Sequence, residues 1–244
     1  MKPLGRRRPP DFEHVERYPL SAVALPAAPP GTEKSLGLPW WWKDHDQGEE
    51  GSCVGFGTSA MMSVTNHYQR LLASGRDLTY RYACRWLYGE AQLVDEWDDT
   101  PPQEGTSVRA ACQILEKRGH RRVQGGVTGD VTAAHGIAAY RWATSFDELR
   151  AAIYAGLAVS IGINWYSGFD NPLTTLTGER WLPVQSLGSV RGGHCVCLYR
   201  MSDRRGAFCF MNSWGSYYPP TWMPYSLMDR LIDEDGEAVV ITDR

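Results

Sequence analysis

Long apolar runs are missing from this sequence. A membrane-spanning helix needs about 20 uninterrupted apolar residues, and the most apolar stretches here are broken by Gly, Asn or Arg within about ten. No membrane partner is expected. An excess of one charge is missing too: 25 Lys and Arg stand against 28 Asp and Glu, a net charge of −3 that offers nucleic acid no electrostatic footprint. Six cysteines in 244 residues are too few for a disulfide-dense secreted scaffold, so their positions have to decide their use. The N-terminus has the positive charge of an export signal in Arg6, Arg7 and Arg8. Pro9, Pro10, Asp11 and Glu13 stand where its apolar segment should begin, and no such signal is expected. There is no internal repeat.

What is present is an ordinary globular composition, 43% apolar with 10 Trp and 12 Tyr, on a chain long enough to bury a core without staples. Residues 1–39 are Pro-rich and lack periodicity, with a cluster from Ala24 to Pro30, which predicts an extended arm laid over a domain spanning 40–244. From Phe56 the apolar positions Phe56, Ala60, Val64 and Tyr68 recur every four residues. That predicts a helix of about 20 residues starting near Cys53 and ending before Gly75. A second helix is signalled by Thr106 or Ser107 as N-cap ahead of Val108, Ala111, Cys112 and Leu115, and a third by the capping box Ser145-x-x-Glu148. After Gly156 the texture changes to strands at Leu157–Trp165, Val190–Arg200, Gly206–Ser213 and Glu237–Thr242. This segregation predicts an α+β fold of two lobes, a helical one over about 47–125 and a β-rich one over about 126–244, with a cleft between them.

Cys53 sits where the long helix begins, so unpaired N–H groups and the helix dipole should stabilise its thiolate and lower its pKa. A thiolate nucleophile needs an imidazole, and His194 is offered in Gly192-Gly193-His194 at the opening of a strand. Asn212 lies near the end of the next strand. Strands joined by a short connection are commonly antiparallel neighbours, so His194 and Asn212 can meet. An Asn orients the ring while leaving a Cys⁻/His⁺ pair intact.

The run Asp46-Gln47-Gly48-Glu49-Glu50-Gly51-Ser52-Cys53, then Gly-Gly-His194 and Asn212-Ser213-Trp214-Gly215, resembles the papain family of cysteine peptidases. The likeness is closer to its bacterial and phage-borne members that lack a long inhibitory propeptide, and it covers most of residues 40–244. The order Cys, His, Asn and a downstream spacing of about 130 to 160 residues agree with it. The resemblance implies a papain-like two-lobed fold with a helical left lobe and an antiparallel, β-barrel-like right lobe. It makes Cys53 the nucleophile, His194 general base and then general acid, Asn212 the orienter of the ring, and Gln47 the oxyanion-hole side chain. It places Gly105, Gly193 and Trp214 at the substrate cleft, Trp214 as cover over the His–Asn bond. The implied activity is a cysteine-type endopeptidase acting on peptide or protein through an acyl-enzyme, with no cofactor and no metal. Cleavage of cell-wall peptides, or a structural role in a phage particle, are the alternatives. The expected location is cytoplasmic or phage-particle associated. Two departures stand out: Glu50 replaces the cysteine usual three residues before the nucleophile, and Val54 the aromatic residue after it.

Other features receive plainer readings. Cys195 and Cys197 share a strand face that His194 does not, which argues against zinc and for buried thiols. Cys84 and Cys112 read as core residues. Trp40-Trp41-Trp42 reads as packing of the arm, His45 as an exposed histidine, and Asp95–Asp99 with Thr100, Pro101 and Pro102 as a solvated loop.

Overall fold

The longest helix, α1 (Cys53–Ser74), forms where the four-residue recurrence places it. The structure is a computed structural model that describes residues 2–10, 18–74, 80–98 and 103–243. Gly75, Asp11, Glu13 and Asp99 to Pro102 lie outside those residues. Two glycines let α1 sit at the centre of the molecule. A Cβ at Gly55 would collide with the Cys84 carbonyl and with Tyr88 on α2 (Cys84–Gln92), and one at Gly57 would meet the Cys195 thiol at 2.7 Å. Positions two apart on a helix lie on nearly opposite faces, so α1 is gripped from both sides.

The helix starts were local enough to read. Ser107 Oγ accepts the Ala110 N–H at 3.0 Å to open α3 (Val108–Lys117). Ser145 opens α4 (Phe146–Tyr154) by accepting the Glu148 N–H, while Glu148 Oε2 accepts from the Thr144 N–H at 2.6 Å, one residue before the cap. A further helix, α5 (Tyr225–Asp233), starts after Pro224 with no side-chain cap and gave no start signal. Among the described residues no helix is long and apolar enough to cross a membrane.

The main sheet is built from β1 (Glu33–Ser35), β5 (Ile137–Ala143), β6 (Val159–Tyr166), β7 (Leu173–Thr174), β8 (Arg180–Trp181), β9 (Val190–Ser202), β10 (Ala207–Met211), β11 (Thr221–Pro224) and β12 (Glu237–Asp243). Its order is β5-β12-β6-β9-β10-β11-β8-β7, with β1 added on β9, and only β11 and β8 pair in parallel. The terminal strands β5 and β7 do not meet, so the barrel-like expectation is corrected to an open sheet. A smaller sheet joins β2 (Arg81–Tyr82), β3 (His120–Gln124) and β4 (Val127–Thr132). The β3–β4 turn is Gly125-Gly126, both at positive φ as a tight hairpin turn requires. This hairpin straddles the division expected near residue 125.

Part of the N-terminal segment is built into the core rather than laid over it. Leu20, Ala28 and Leu36 are buried, and Trp142 N–H donates to the Tyr18 carbonyl at 2.8 Å. Of the tryptophan run only Trp41 is fully buried; Trp40 is exposed.

Among the described residues three histidines are buried and held neutral. His45 is not the exposed residue its charged neighbours suggested: its ring packs between Trp41 and Phe56, at 5.4 and 4.9 Å. His120 accepts the Arg121 N–H on Nδ1 and bonds Ser59 Oγ through Nε2, so protonating it would break the first bond. Burial pushes His45 and His120 down to about 3 and His194 down to about 4. Depressed folded-state values contribute stability that is present above the unfolded value near 6.5 and is lost as pH falls toward 3 to 4. The melting temperature is therefore expected to be level from pH 7 to 8.5 and to fall steeply between pH 6 and 4. A level profile down to pH 4, read by circular dichroism, would contradict the buried neutral state.

Candidate active site

Cys53 is the first residue of α1 and is completely buried. His194 and Asn212 come together as the strand argument requires. β9 and β10 are antiparallel neighbours, and His194 Nε2 lies 2.8 Å from Asn212 Oδ1. The tautomer follows from a second bond. Asn212 Oδ1 also accepts the Ser213 N–H at 2.7 Å, so the oxygen faces both groups and His194 Nε2 must be the donor. In the neutral ring Nδ1 is then a bare lone pair. It is buried and has no hydrogen-bond partner.

Aromatic rings wall this pair off from water. The Trp214 ring centroid is 5.0 Å from that of His194, and Trp165, which sequence reasoning passed over, packs edge-on at 4.6 Å. Trp165 belongs to the strand paired with β9, its register partner being Gly192. Gln47 is buried and fixed from both ends: its N–H donates to the Ser213 carbonyl at 2.8 Å, and its Oε1 accepts from Ser213 Oγ at 2.5 Å. Ser213 is thus a second residue missed, although it stands inside the Asn212-Ser213-Trp214-Gly215 run. With Oε1 so engaged, the amide nitrogen of Gln47 is turned to the Glu50 carbonyl at 2.7 Å and the Pro3 carbonyl at 3.3 Å.

Pro3 belongs to a segment that runs through the cleft. Arg191 donates to the Lys2 carbonyl at 2.9 Å, Thr106 N–H to the Gly5 carbonyl at 2.9 Å, Arg6 N–H to the Gly193 carbonyl at 3.0 Å and Arg7 N–H to the Thr106 carbonyl at 2.9 Å. Residues 5–7 therefore bridge the two sides, parallel to the Thr106 segment and antiparallel to β9. Gly105 makes neither bond. Its N–H and carbonyl are used by Tyr88 and Gln92, and at φ +100° a side chain there would run into the Gly5 carbonyl and Arg7. The acidic loop is less solvated than expected. Asp95 accepts from Thr106 Oγ1, Glu96 from Ser107 and Arg109, and Trp97 carries the Arg7 guanidinium 3.9 Å above its ring.

The covered cleft reverses the electrostatic expectation for Cys53. A helix N-terminus is worth at most about 2 kcal/mol to an anion, whereas burial pushes the Cys53 thiol up to about 12, against smaller lowering contributions from the backbone of Cys195 and Gly5. His194, pushed down to about 4, cannot hold the proton. In this state both groups are neutral. All six cysteines are free, and among the described residues no group of His, Cys, Asp and Glu could hold a metal ion.

An α+β architecture with a buried cysteine at the start of a long helix and a His–Asn pair on an antiparallel sheet is the fold of the papain-like cysteine proteases. Xylellain, a cysteine protease from Xylella fastidiosa, superposes with a TM-score of 0.68 at 18% identity, covering 100% of this chain and 97% of that one. A procathepsin B from Trypanosoma congolense gives 0.60 at 10% identity over 98% of this chain and 87% of its own. The bromelain protease from Ananas comosus gives 0.56 at 13% over 83% and 97%. No protein-family model and no curated protein matches the sequence.

Proposed function

We propose that the chain is a cysteine peptidase in which Cys53 is the nucleophile, His194 the proton carrier, Asn212 the orienter and Gln47 an oxyanion donor. In this reading the Cys53 proton passes to His194 Nδ1 as sulfur forms a bond to the substrate carbonyl carbon. The oxygen takes the negative charge and is met by the Gln47 amide. His194 then gives its proton to the leaving amine as the C–N bond breaks, leaving a thioester on Cys53. Water, deprotonated by His194, hydrolyses the thioester and restores the thiol. No step calls for a cofactor. Gly193 supplies a carbonyl to the bound backbone, Gly105 the clearance for it, and Trp214 keeps water from the His–Asn bond. In this reading residues 1–39 form an N-terminal arm on the domain of 40–244 whose later part is packed into that domain's core, while residues 2–8 lie where substrate would lie.

The observation that carries this reading is the buried, unpartnered Nδ1 of a histidine whose other nitrogen is pinned by Asn212. Such a lone pair is what a thiol proton needs. The test is alkylation by iodoacetamide at pH 6 of a full-length Gly5→Val chain, in which the arm can no longer seat. Cys53 is expected to react selectively over the five other cysteines, whose thiols burial pushes up, and to lose that selectivity in Gly5→Val with His194→Ala. Uniform, slow reaction of all six would instead favour a scaffold, in a phage particle or elsewhere. Turnover of protein-derived against cell-wall peptides then separates those two substrate classes.

A further inference from the structure

The small sheet turns one face toward a cleft that holds positive charge without its counterions. β2 and β3 pair with Arg81 opposite Val123, and the Ala83 N–H donates to the Arg121 carbonyl at 3.0 Å, which continues the same register. Side chains alternate between faces along a strand, so Arg81, Ala83, Arg121 and Val123 share one face. Arg122, opposite Tyr82, belongs to the other. The four residues of the first face line a cleft of about 500 Å³, closed by Trp86 on α2, by Phe56 on α1 and by the loop Asp44–Asp46 that leads to Gln47. That volume lies within the range of small-molecule sites, about 300–1,000 Å³.

The acids around this cleft are either taken or stand at its rim. Asp46 accepts from Lys2 Nζ at 3.2 Å and from the Gly48 N–H at 2.9 Å, Glu50 pairs with Arg85, and Asp44 is exposed. Arg81 donates to the Asp44 carbonyl at 3.2 Å, and Arg121 lies over the Trp86 ring at 5.6 Å with its Nε buried and without an acceptor. Among the described residues neither guanidinium has a carboxylate within ion-pair distance. Elsewhere pairing is the habit of this chain: Arg109, Arg118, Arg150 and Arg205 each hold a carboxylate. A charged donor buried without an acceptor is destabilising, and an oxyanion drawn to the two forks offsets that cost. Two guanidinium forks on one concave face suit a phosphoryl group, with three acceptor oxygens and up to two charges, better than a singly charged carboxylate. Phe56, Trp86 and Val123 leave apolar wall for an organic body attached to it.

We propose that this cleft binds a phosphoryl group, free or carried on a small organic molecule, between Arg81 and Arg121. The inference stands apart from the peptidase reading. It is tested by calorimetric titration of the full-length protein with phenyl phosphate, inorganic phosphate and benzoate at fixed ionic strength. Saturable binding of phosphate is expected, at least about tenfold tighter than that of benzoate. Arg81→Gln and Arg121→Gln should each weaken it at least about tenfold, while Arg204→Gln, exposed on the β9–β10 turn, should leave it unchanged. Thr128→Glu keeps the test independent of folding. Thr128 is exposed and lies opposite Val123, so the variant sets a carboxylate on the arginine face without touching the core, and it should abolish binding with the melting temperature level or raised. Phenyl phosphate binding more tightly than inorganic phosphate would support the site with an organic phosphate as its ligand, and equal affinities would support it with the free ion. Binding that does not saturate, or that is equal in the parent chain, Arg121→Gln and Thr128→Glu, would overturn it.

Discussion

Replacing Gly5 by valine in the full chain is expected to raise the rate at which iodoacetamide alkylates Cys53 at pH 7 by at least about 30-fold. The cause is steric at first. A Cβ on Gly5 would overlap the Gly51 carbonyl group, which is backbone just ahead of the nucleophile and has no room to give. Once the segment lifts, water reaches Cys53 and its thiol falls from about 12 toward its ordinary value near 9. That fall raises the thiolate population at neutral pH about a thousandfold, while intrinsic nucleophilicity drops about thirtyfold over the same range. The net gain stands before any gain in access. The pH dependence carries the same information with a definite sign. In the covered chain the rate should rise about tenfold per pH unit from 6 to 9, because only the rare thiolate reacts. In the uncovered chain it should flatten, as a thiolate paired with imidazolium becomes available below the thiol's own titration. Equal rates in the two chains, with equal melting temperatures, would show that the segment does not govern Cys53.

The ion pair of Arg6 with Glu237 marks the limit of what the sequence makes legible. Elements whose causes are local could be read from it: Ser107 and Ser145 cap their helices through atoms three residues away, and the α1 stripe is a property of one segment. The His194–Asn212 meeting was also legible, because it needs only two consecutive strands to pair. Glu237 was not. It looks like an acidic start to an apolar strand, and it acquires a partner only when β12 pairs with β6 and a residue from the opposite end of the chain arrives. His45 was misread for a related reason. Its neighbours Asp44 and Asp46 imply water, while the rings that cover it come from Trp41 and from Phe56 on α1. The sign for Cys53 depends on a comparison of magnitudes: the helix dipole is local and visible in sequence, burial is tertiary and larger. Glu50 shows the converse. Standing where the resemblance would put a cysteine, it pairs with Arg85 on α2, an ion pair between its loop and that helix. That pair is half exposed and worth at most about 1 kcal/mol, so the loop is held chiefly by Gln47 and Ser213.

With the arm displaced, His194→Ala and Gln47→Ala are expected to fail in different ways. In the proposed reading His194→Ala removes the proton carrier, and kcat/KM toward a peptide substrate should fall by at least about 10⁴-fold, as when one member of a cooperating set is lost. Cys53 alkylation should fall with it, since the thiolate is then no longer paired. In the same reading Gln47→Ala leaves the thiol and the imidazole untouched but deletes the amide that would meet the developing oxyanion once the Pro3 carbonyl has left it. Its kcat should drop by about 100- to 1,000-fold, while alkylation, which passes through no oxyanion, stays within about twofold of the parent chain, the spread ordinary for a change that touches neither reacting group. A purely structural role for Gln47, bonded as it is to Ser213 and to the Glu50 carbonyl, would lower both rates together and the melting temperature with them. Ser213→Ala separates the remaining possibilities. It frees the Gln47 amide to turn without removing it, so hydrolysis should fall by less than in Gln47→Ala, and the loss should lie in kcat rather than KM, because the donor is needed only once charge has developed on oxygen.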